Sequence, residues 1–190
     1  MPFGQAMAKP VKIVALGDSL TAGYGLATGL SYPVKLQTAL KAKGFDVEIA
    51  NAGVSGDTSS GGLARLDWSV GDDADIVIVE LGANDALRGV DPAVTRKALT
   101  GIVSKLLARG KKVLLAGMLA PPNLGREYGE RFEAIYTDLA KLPGVTFYRF
   151  FLDGVMGRPE LVQSDGLHPT GEGVEVIVKQ LLPVVISMLK

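Results

Sequence analysis

Residues 75–80 read Asp75-Ile76-Val77-Ile78-Val79-Glu80, an unbroken run of four β-branched residues between two acidic ones. A strand that is buried on both faces has this pattern, because neither face alternates with polar side chains. Such strands occur in parallel sheets that are covered by helices on both sides. The run therefore predicts a central strand of an α/β domain.

Similar apolar runs lie on either side of this segment and alternate with amphipathic stretches. This alternation predicts a three-layer α/β/α sandwich around a five-stranded, mainly parallel sheet, flavodoxin-like in kind. Pro183 is expected to kink the last helix or to start a new turn there. Because the sequence shows no internal repeat or linker, 11–190 is expected to form one domain. The predicted strands are 12–16, 46–51, 75–80, 112–117 and 145–149, and the predicted helices are 32–43, 58–68, 92–109, 127–142 and 171–189.

The composition argues against several kinds of site. Lys plus Arg and Asp plus Glu each number 20 among 190 residues, so the formal net charge is zero and no nucleic-acid partner is expected. The chain has no cysteine and one histidine, which argues against a multi-histidine metal site. No apolar run reaches the ~20 residues that span a bilayer, so no integral membrane contact is expected.

The first residues do not share the pattern of the rest. Ala6-Met7-Ala8 is similar to the small-x-small cleavage site of a signal peptide, but no charged and apolar stretch precedes it. We expect 1–10 to be a disordered leader. The compartment stays open: it is periplasmic or extracellular if the leader is the remnant of an export signal, and cytoplasmic otherwise.

A serine stands at the end of the first predicted strand. The segment reads Gly17-Asp18-Ser19-Leu20-Thr21-Ala22-Gly23-Tyr24-Gly25. At such a turn the hydroxyl of Ser19 is exposed at the sheet edge, and a helix N-terminus favours developing negative charge. Serine also caps helices at turns of this kind. Ser19 is therefore a candidate nucleophile only together with a base.

The single histidine, His168, follows Asp165 by three residues and precedes the last predicted helix. With Gly166 between them, a tight turn can place the carboxylate of Asp165 against one ring nitrogen while the other faces the cleft. Pro169 disfavours the helical region for His168 and keeps it in an extended loop. Taken alone, the pair also fits a surface histidine beside a capping aspartate. With the strand-end serine, it predicts a nucleophile, a base and an orienting acid.

Four blocks of the chain, in order, resemble the signature blocks of the SGNH or GDSL hydrolase family. They span nearly the whole chain, and each follows a predicted strand or precedes the last helix. The sequence is most similar to the bacterial branch of multifunctional thioesterases, lysophospholipases and arylesterases. The blocks are Gly17-Asp18-Ser19-Leu20, Val54-Ser55-Gly56-Asp57, Gly82-Ala83-Asn84-Asp85 and Asp165-Gly166-Leu167-His168.

The resemblance implies a serine esterase in which Ser19 is the nucleophile, His168 the general base and Asp165 the group that orients it, with no metal or organic cofactor. It also implies an oxyanion hole formed by the backbone N–H groups of Ser19 and Gly56 and the side-chain amide of Asn84. Acyl transfer needs such donors around the tetrahedral intermediate. Without the resemblance, Gly56 fits a turn glycine and Asn84 an Asx turn. Because histidine titrates near ~6.5 and the base must be neutral, activity should fall on acidification.

The expected substrate is a small-molecule ester. The loops 85–90 and 119–128 should line the cleft, and in the resembling family branch the matching loops form the acyl-binding groove. We expect hydrolysis of short-chain aryl and alkyl esters, with thioesters or lysophospholipids as further candidates. The apolar candidates for substrate contact, which equally fit loop packing, are Leu87, Val90, Leu119, Pro121 and Leu124.

Two other functions stay open. One is a carbohydrate acetyl-esterase of the same family, which differs in substrate and not in chemistry. The other is a flavodoxin-like protein that binds a phosphate or nucleotide where loop 19–25 meets a helix N-terminus. That second function leaves His168 and Asn84 without a role.

Four further polar residues are expected to be structural. Asp18 should bond local backbone, and Asp57 or Thr58 should cap the following helix. Arg65 and Arg88 are expected to pair with neighbouring carboxylates.

Overall fold

Five strands form one sheet in which every pairing is parallel. A computed structural model of the protein describes residues 9–190, so the predicted leader, apart from Lys9 and Pro10, lies outside the described residues. The order across the sheet is β2-β1-β3-β4-β5. The predicted five-stranded α/β fold is confirmed, with a sheet that is parallel throughout. The strands are β1 (Val11–Gly17), β2 (Val47–Gly53), β3 (Ile76–Glu80), β4 (Lys112–Ala116) and β5 (Val145–Tyr148).

Helices cover both faces of this sheet. All five residues of β3 are buried, so both of its faces are covered. The helices α2 and α8 pack on each other, while α6 packs on α3 and α7 in a second group. Two short 3-10 helices, Pro122–Leu124 and Pro159–Leu161, lie in loops. The helices are α1 (Ser19–Ala22), α2 (Tyr32–Ala42), α3 (Ser59–Ala64), α4 (Leu66–Ser69), α5 (Ala83–Leu87), α6 (Pro92–Ala108), α7 (Arg126–Leu139) and α8 (Gly171–Leu189).

The long helix α6 shows why these segments become helices. Asp91 is its N-cap and accepts a hydrogen bond from the backbone N–H of Ala93, and Pro92 occupies the first turn, where no N–H partner is needed. Its buried residues recur at spacings of three and four, which places them on one face. They are Pro92, Thr95, Ala98, Leu99, Ile102, Val103 and Leu106.

The helix predicted over 58–68 is instead two short helices that meet at Arg65. The backbone of Arg65 leaves helical geometry (φ −100°, ψ 4°) while its guanidinium reaches the carboxyl ends of β1 and β2. There it donates to the carbonyl oxygens of Gly17 and Ala52, each at 2.8 Å. The break therefore serves a tertiary contact that no local pattern encodes.

One helix ends earlier than predicted, and another continues through a proline. The helix predicted to reach 142 ends at Leu139, since Pro143 disfavours helical geometry in the residue before it. By contrast, α8 runs unbroken through Pro183. Pro183 is on the exposed face, so the carbonyl that loses its intrahelical partner can bond water.

The strand order places a topological switch at β1, which has β2 on one side and β3 on the other. Ligands of open parallel sheets bind beyond the carboxyl ends of strands at such a point. The loops that begin after Gly17, Gly53 and Glu80 therefore meet at one edge. Within residues 9–190, no helix is both long and apolar enough to cross a membrane.

Candidate active site

Ser19 is the first residue of α1, directly beyond the end of β1. The preceding residue, Asp18, is the N-cap, and its Oδ1 accepts a hydrogen bond from the backbone N–H of Leu20 at 3.0 Å. Asp18 thus bonds local backbone as expected. Because Asp18 is fully buried while Ser19 is only half-buried, the turn directs the serine toward the sheet edge and the aspartate into the protein.

The imidazole of His168 lies between Ser19 and Asp165. Its Nε2 is 2.8 Å from Ser19 Oγ, and its Nδ1 is 2.6 Å from Asp165 Oδ2. The other oxygen of Asp165 accepts hydrogen bonds from the backbone N–H groups of Leu167 and His168, at 2.9 and 3.0 Å. The structure therefore joins three residues from opposite ends of the chain in one hydrogen-bonded row.

Backbone N–H groups stabilise the ionised form of Asp165. The N–H groups of His168 and Leu167, followed by the His168 side chain, lower the pKa of Asp165 to about 2. Asp165 is therefore ionised near neutral pH. It accepts a hydrogen bond from Nδ1 of His168, which carries the ring proton. This tautomer leaves Nε2 as an acceptor for the hydroxyl of Ser19, the arrangement that a general base requires.

Gln163 connects the histidine loop to the loop that follows Ser19. Its side-chain amide donates to the carbonyl oxygens of Tyr24, at 2.8 Å, and Pro169, at 3.0 Å, and its backbone N–H donates to His168 O at 2.7 Å. The ring of Tyr24 lies 4.7 Å from the imidazole, centroid to centroid. These contacts hold His168 beside Ser19 although 148 residues lie between them in sequence.

Asn84 lies in the first turn of α5, just beyond β3. Its Nδ2 donates to Asp18 Oδ2 at 3.1 Å, so the aspartate that precedes Ser19 orients the amide. An amide nitrogen carries two hydrogens, and Asp18 takes one. The other has no acceptor within residues 9–190.

Gly56 lies in the loop after β2 with φ of +81°, a conformation that favours glycine. Asp85 connects this loop to the Asn84 turn. Its carboxylate accepts a hydrogen bond from the backbone N–H of Ser59 at 2.8 Å. It also accepts hydrogen bonds from the hydroxyls of Ser59, at 2.5 Å, and Thr95, at 3.0 Å. Since Asp85 is buried, these bonds are shielded from water. The loops that carry Gly56 and Asn84 are thus fixed relative to each other.

The other expected polar contacts have mixed outcomes. Thr58 caps α3 by accepting from the N–H of Gly61, and Arg65 pairs with Asp57 at 2.7 Å, both as expected. Arg88 differs from the expectation: its Nη2 donates to the carbonyl oxygen of Gly56 at 2.8 Å, and within residues 9–190 it pairs with no carboxylate. The carbonyl is closer at hand because Arg88 ends α5, beside the Gly56 loop.

The loops expected to contact substrate also lie near one another. Tyr128 on α7 donates to the carbonyl oxygen of Val90 at 2.6 Å, and the side chain of Leu124 is 3.9 Å from where a Cβ on Gly89 would stand. Leu87 is about half exposed. The loop after β3 therefore packs against the loop after β4.

Two surface pockets border these loops. Pro121 lines one of about 380 Å³ beside the start of α7, and Leu119 lines another of about 210 Å³ near the end of β5. Ser19, His168 and Asn84 line neither of them. Pocket shape therefore does not assign the five apolar candidates to a substrate groove, and their role stays a prediction.

Beneath Ser19 lies a pair of buried carboxyl groups, Asp18 and Glu80. Burial raises the pKa of Asp18 to about 6, against the lowering effect of its bonds from Leu20 N–H and Asn84. Burial, together with the charge of Asp18, raises the pKa of Glu80 well above its usual value. The pKa values of both carboxyl groups are therefore raised, because burial disfavours the charged form of each.

Sequence reasoning missed Tyr24, Gln163, Asp85 and Glu80. Two signals were available: Asp85 belongs to a signature block, and Glu80 is a charged residue directly after four buried apolar ones. No local signal marks Tyr24 or Gln163, because the contact between them and the contact of Tyr24 with His168 form only when the chain ends meet. Among residues 9–190, no three acidic or histidine side chains are grouped so as to hold a metal ion.

Comparison with known proteins identifies the family of this chain. Residues 15–176 match the family model described as GDSL-like lipase/acylhydrolase. The chain is 42% identical to esterase TesA of Pseudomonas aeruginosa, over 87% of this chain and 82% of the relative. It is 39% identical to thioesterase 1/protease 1/lysophospholipase L1 of Escherichia coli K12, over 91% and 84% of the two chains.

Among solved structures, the chain is similar to AlinE4, which is described as an SGNH-hydrolase family esterase. The TM-score is 0.80 and the identity 47%, covering 97% of this chain and 100% of AlinE4. The predicted resemblance is confirmed by sequence and by structure. The chain belongs to the GDSL-like lipase/acylhydrolase family.

Proposed function

We propose that this chain, acting as one domain over 11–190, is a serine esterase that hydrolyses acyl and aryl esters of short to medium chain length through an acyl-enzyme on Ser19. The observation that carries the proposal is the 2.8 Å contact between Ser19 Oγ and His168 Nε2, backed by ionised Asp165 at 2.6 Å from Nδ1. The names of the relatives, esterase and thioesterase or lysophospholipase, support the same chemistry.

In the first half of the reaction, Ser19 attacks the ester carbonyl while His168 removes its proton. Asp165 holds the Nδ1–H tautomer and stabilises the imidazolium that forms. The tetrahedral intermediate collapses as His168 returns the proton to the leaving alcohol. In the second half, water takes the place of the alcohol and His168 activates it in the same way, which releases the acid.

Three donors are proposed to bind the oxyanion of each tetrahedral intermediate: the backbone N–H groups of Ser19 and Gly56 and the second amide hydrogen of Asn84. Such donors act best when they are oriented before the reaction, because no reorganisation is then needed as charge develops. The bond from Asn84 to Asp18 and the clamp of Asp85 on the Gly56 loop supply this orientation.

Replacing Asn84 with alanine is expected to lower kcat on the order of 10²-fold to 10³-fold, because one oxyanion donor is lost. Labelling of Ser19 by a fluorophosphonate should persist, since the row from Ser19 to Asp165 does not include Asn84. Steady-state kinetics and the thermal unfolding midpoint should be measured on the same preparation. A change in kcat below about threefold would remove Asn84 from the oxyanion hole.

The proposal is tested by incubating the protein with a fluorophosphonate and with p-nitrophenyl esters of graded acyl length. We expect one covalent label, located on Ser19 by peptide mass spectrometry, and hydrolysis of the shorter acyl chains. Thioester and lysophospholipid substrates belong in the same panel, with acetylated sugars to detect the acetyl-esterase alternative. Absence of both labelling and hydrolysis would contradict the esterase function. It would favour the alternative, a phosphate or nucleotide bound at loop 19–25.

A further inference from the structure

We propose that Glu80 is a positioning residue for the esterase reaction, which holds the Ser19 turn with its side chain and the Asn84 turn with its backbone. The proposal rests on the function proposed above. It adds a residue that touches neither substrate nor His168 and that acts through Thr21 and Asp18.

The first observation is that α1 has little stability of its own. It is only four residues long, and a single helical turn does not persist in water without tertiary contacts. Side chains from both neighbouring strands hold it: Asn51 of β2 donates to the carbonyl oxygen of Thr21 at 2.9 Å, and Glu80 of β3 accepts from the hydroxyl of Thr21 at 2.7 Å. Ser19 is thus held from two sides.

The second observation is that the chain makes room for this carboxyl group. Gly17 is paired with Glu80 in the sheet, and a Cβ on Gly17 would stand 2.6 Å from Glu80 Oε2 and overlap the hydroxyl of Thr21. Only glycine at 17 lets the side chain of Glu80 cross beneath the Asp18 turn. There Oε2 also faces the backbone N–H of Asp18, at 3.4 Å.

The third observation concerns Asn84. Glu80 ends β3, and four residues later the same segment presents the amide that bonds Asp18 at 3.1 Å. A displacement of Glu80 would therefore move both the Ser19 turn and its partner amide. Catalytic groups displaced by ~1 Å lose on the order of 10²-fold in rate.

The surroundings indicate that Glu80 positions these two turns as a neutral acid. Its Oε1 is buried, with no hydrogen-bond partner in residues 9–190, and an ionised carboxylate would leave charge unsolvated there. The titratable groups that face the pair are Tyr32 on α2, Tyr136 on α7 and, near Asp18, His168 and Asp57. The negative charge of Asp18 favours the proton on Glu80.

Four variants test the inference: Glu80→Gln, Glu80→Leu, Thr21→Val and, as the matched control, Glu48→Gln on the exposed side of β2. Rates are divided by the concentration of sites titrated with fluorophosphonate, so that unfolded protein does not lower kcat. For Glu80→Leu we expect kcat to fall about 10-fold to 100-fold with KM within about threefold, because Thr21 and Asp18 lose their acceptor.

The neutral, similarly shaped Glu80→Gln should retain at least about a third of wild-type kcat, and Thr21→Val should lose about fivefold to tenfold. Infrared spectra of wild type at neutral pH should contain the carbonyl stretch of a protonated carboxylic acid that is missing from Glu80→Gln. Glu48→Gln should match wild type in both measurements.

Two results would overturn the inference. One is kcat for Glu80→Leu within about threefold of wild type or, if that variant does not fold, an unchanged kcat for Thr21→Val. The other is a loss in Glu80→Gln as large as in Glu80→Leu, because the group would then act as an anion. If wild type itself neither hydrolyses the esters nor takes the label, the proposed function fails instead.

Discussion

Replacing Ser19 with alanine is expected to lower kcat by at least ~10⁴-fold and to abolish covalent labelling by a fluorophosphonate. The reason is chemical: the acyl-enzyme cannot form without the hydroxyl, and only oxyanion stabilisation and substrate binding remain. The methyl group of alanine fits the half-buried site, so the thermal unfolding midpoint should change little. Hydrolysis of a p-nitrophenyl ester measures the loss, and intact-protein mass spectrometry measures the labelling.

Ser104→Ala is the matched control, because Ser104 is an exposed serine on α6. It should label and turn over as wild type does. Labelling of the Ser19→Ala protein at the wild-type rate would identify another nucleophile. Residual hydrolysis above about a tenth of wild type would exclude an acyl-enzyme on Ser19.

The second large effect is expected for Asp165→Asn, with a fall in kcat on the order of 10³-fold to 10⁴-fold. Asparagine keeps one oxygen for the backbone N–H groups of Leu167 and His168, so the loop should keep its shape. Its amide nitrogen, however, replaces the oxygen that lies 2.6 Å from His168 Nδ1. His168 then carries its proton on Nε2 and donates to Ser19 instead of accepting from it.

The pKa of Asp165, lowered to about 2, determines how this residue affects the pH dependence of the protein. A depressed folded-state pKa contributes stability that is present above the ordinary value near ~3.9 and is lost as pH falls toward 2. Asp165 therefore causes no loss of activity between pH 5 and 8. A fall in wild-type activity in that range has to come from other groups, with Asp18, whose pKa is raised to about 6, among them.

Asp72→Asn is the control for this substitution, since Asp72 is fully exposed and precedes β3, at the edge of the sheet opposite the loops that follow the strands. It should leave kcat unchanged. Asp165→Asn activity within about tenfold of wild type would mean that the histidine is oriented without the aspartate. The loop contacts of Gln163 would then be the remaining explanation.

Much of the fold was predictable because its signals are local. The buried run at 76–79 and the alternation around it correctly predicted five strands and their order in the chain. The end of α7 and the break at Arg65 were not predicted correctly. The first depends on Pro143, a local signal that was overlooked. The second depends on a guanidinium that binds the ends of β1 and β2, which a helix pattern does not reveal.

The candidate site was also predictable in part: its chemical groups were predicted, and the long-range contacts that hold them were not. Ser19, Gly56, Asn84 and His168 were named from signature blocks and from their positions after strands, since parallel strands bring their carboxyl ends to one edge. The long-range contacts that hold them, from Asp18, Asp85, Gln163 and Glu80, were not predicted. The decisive ones join residues distant in sequence, namely Asp18 with Asn84, Asp85 with Ser59, Gln163 with Tyr24 and Glu80 with Thr21, and none has a periodicity of its own.

By itself, the sequence determined which segments become strands, which loops follow them and which chemical groups those loops carry. These properties depend on side-chain size, polarity and spacing, which act over a few residues. Tertiary structure decided that His168 lies 2.8 Å from Ser19, that ionised Asp165 selects the tautomer, and that Glu80 is buried beneath the nucleophile. Distance and burial depend on how the whole chain packs, and they govern both proton transfer and ionisation.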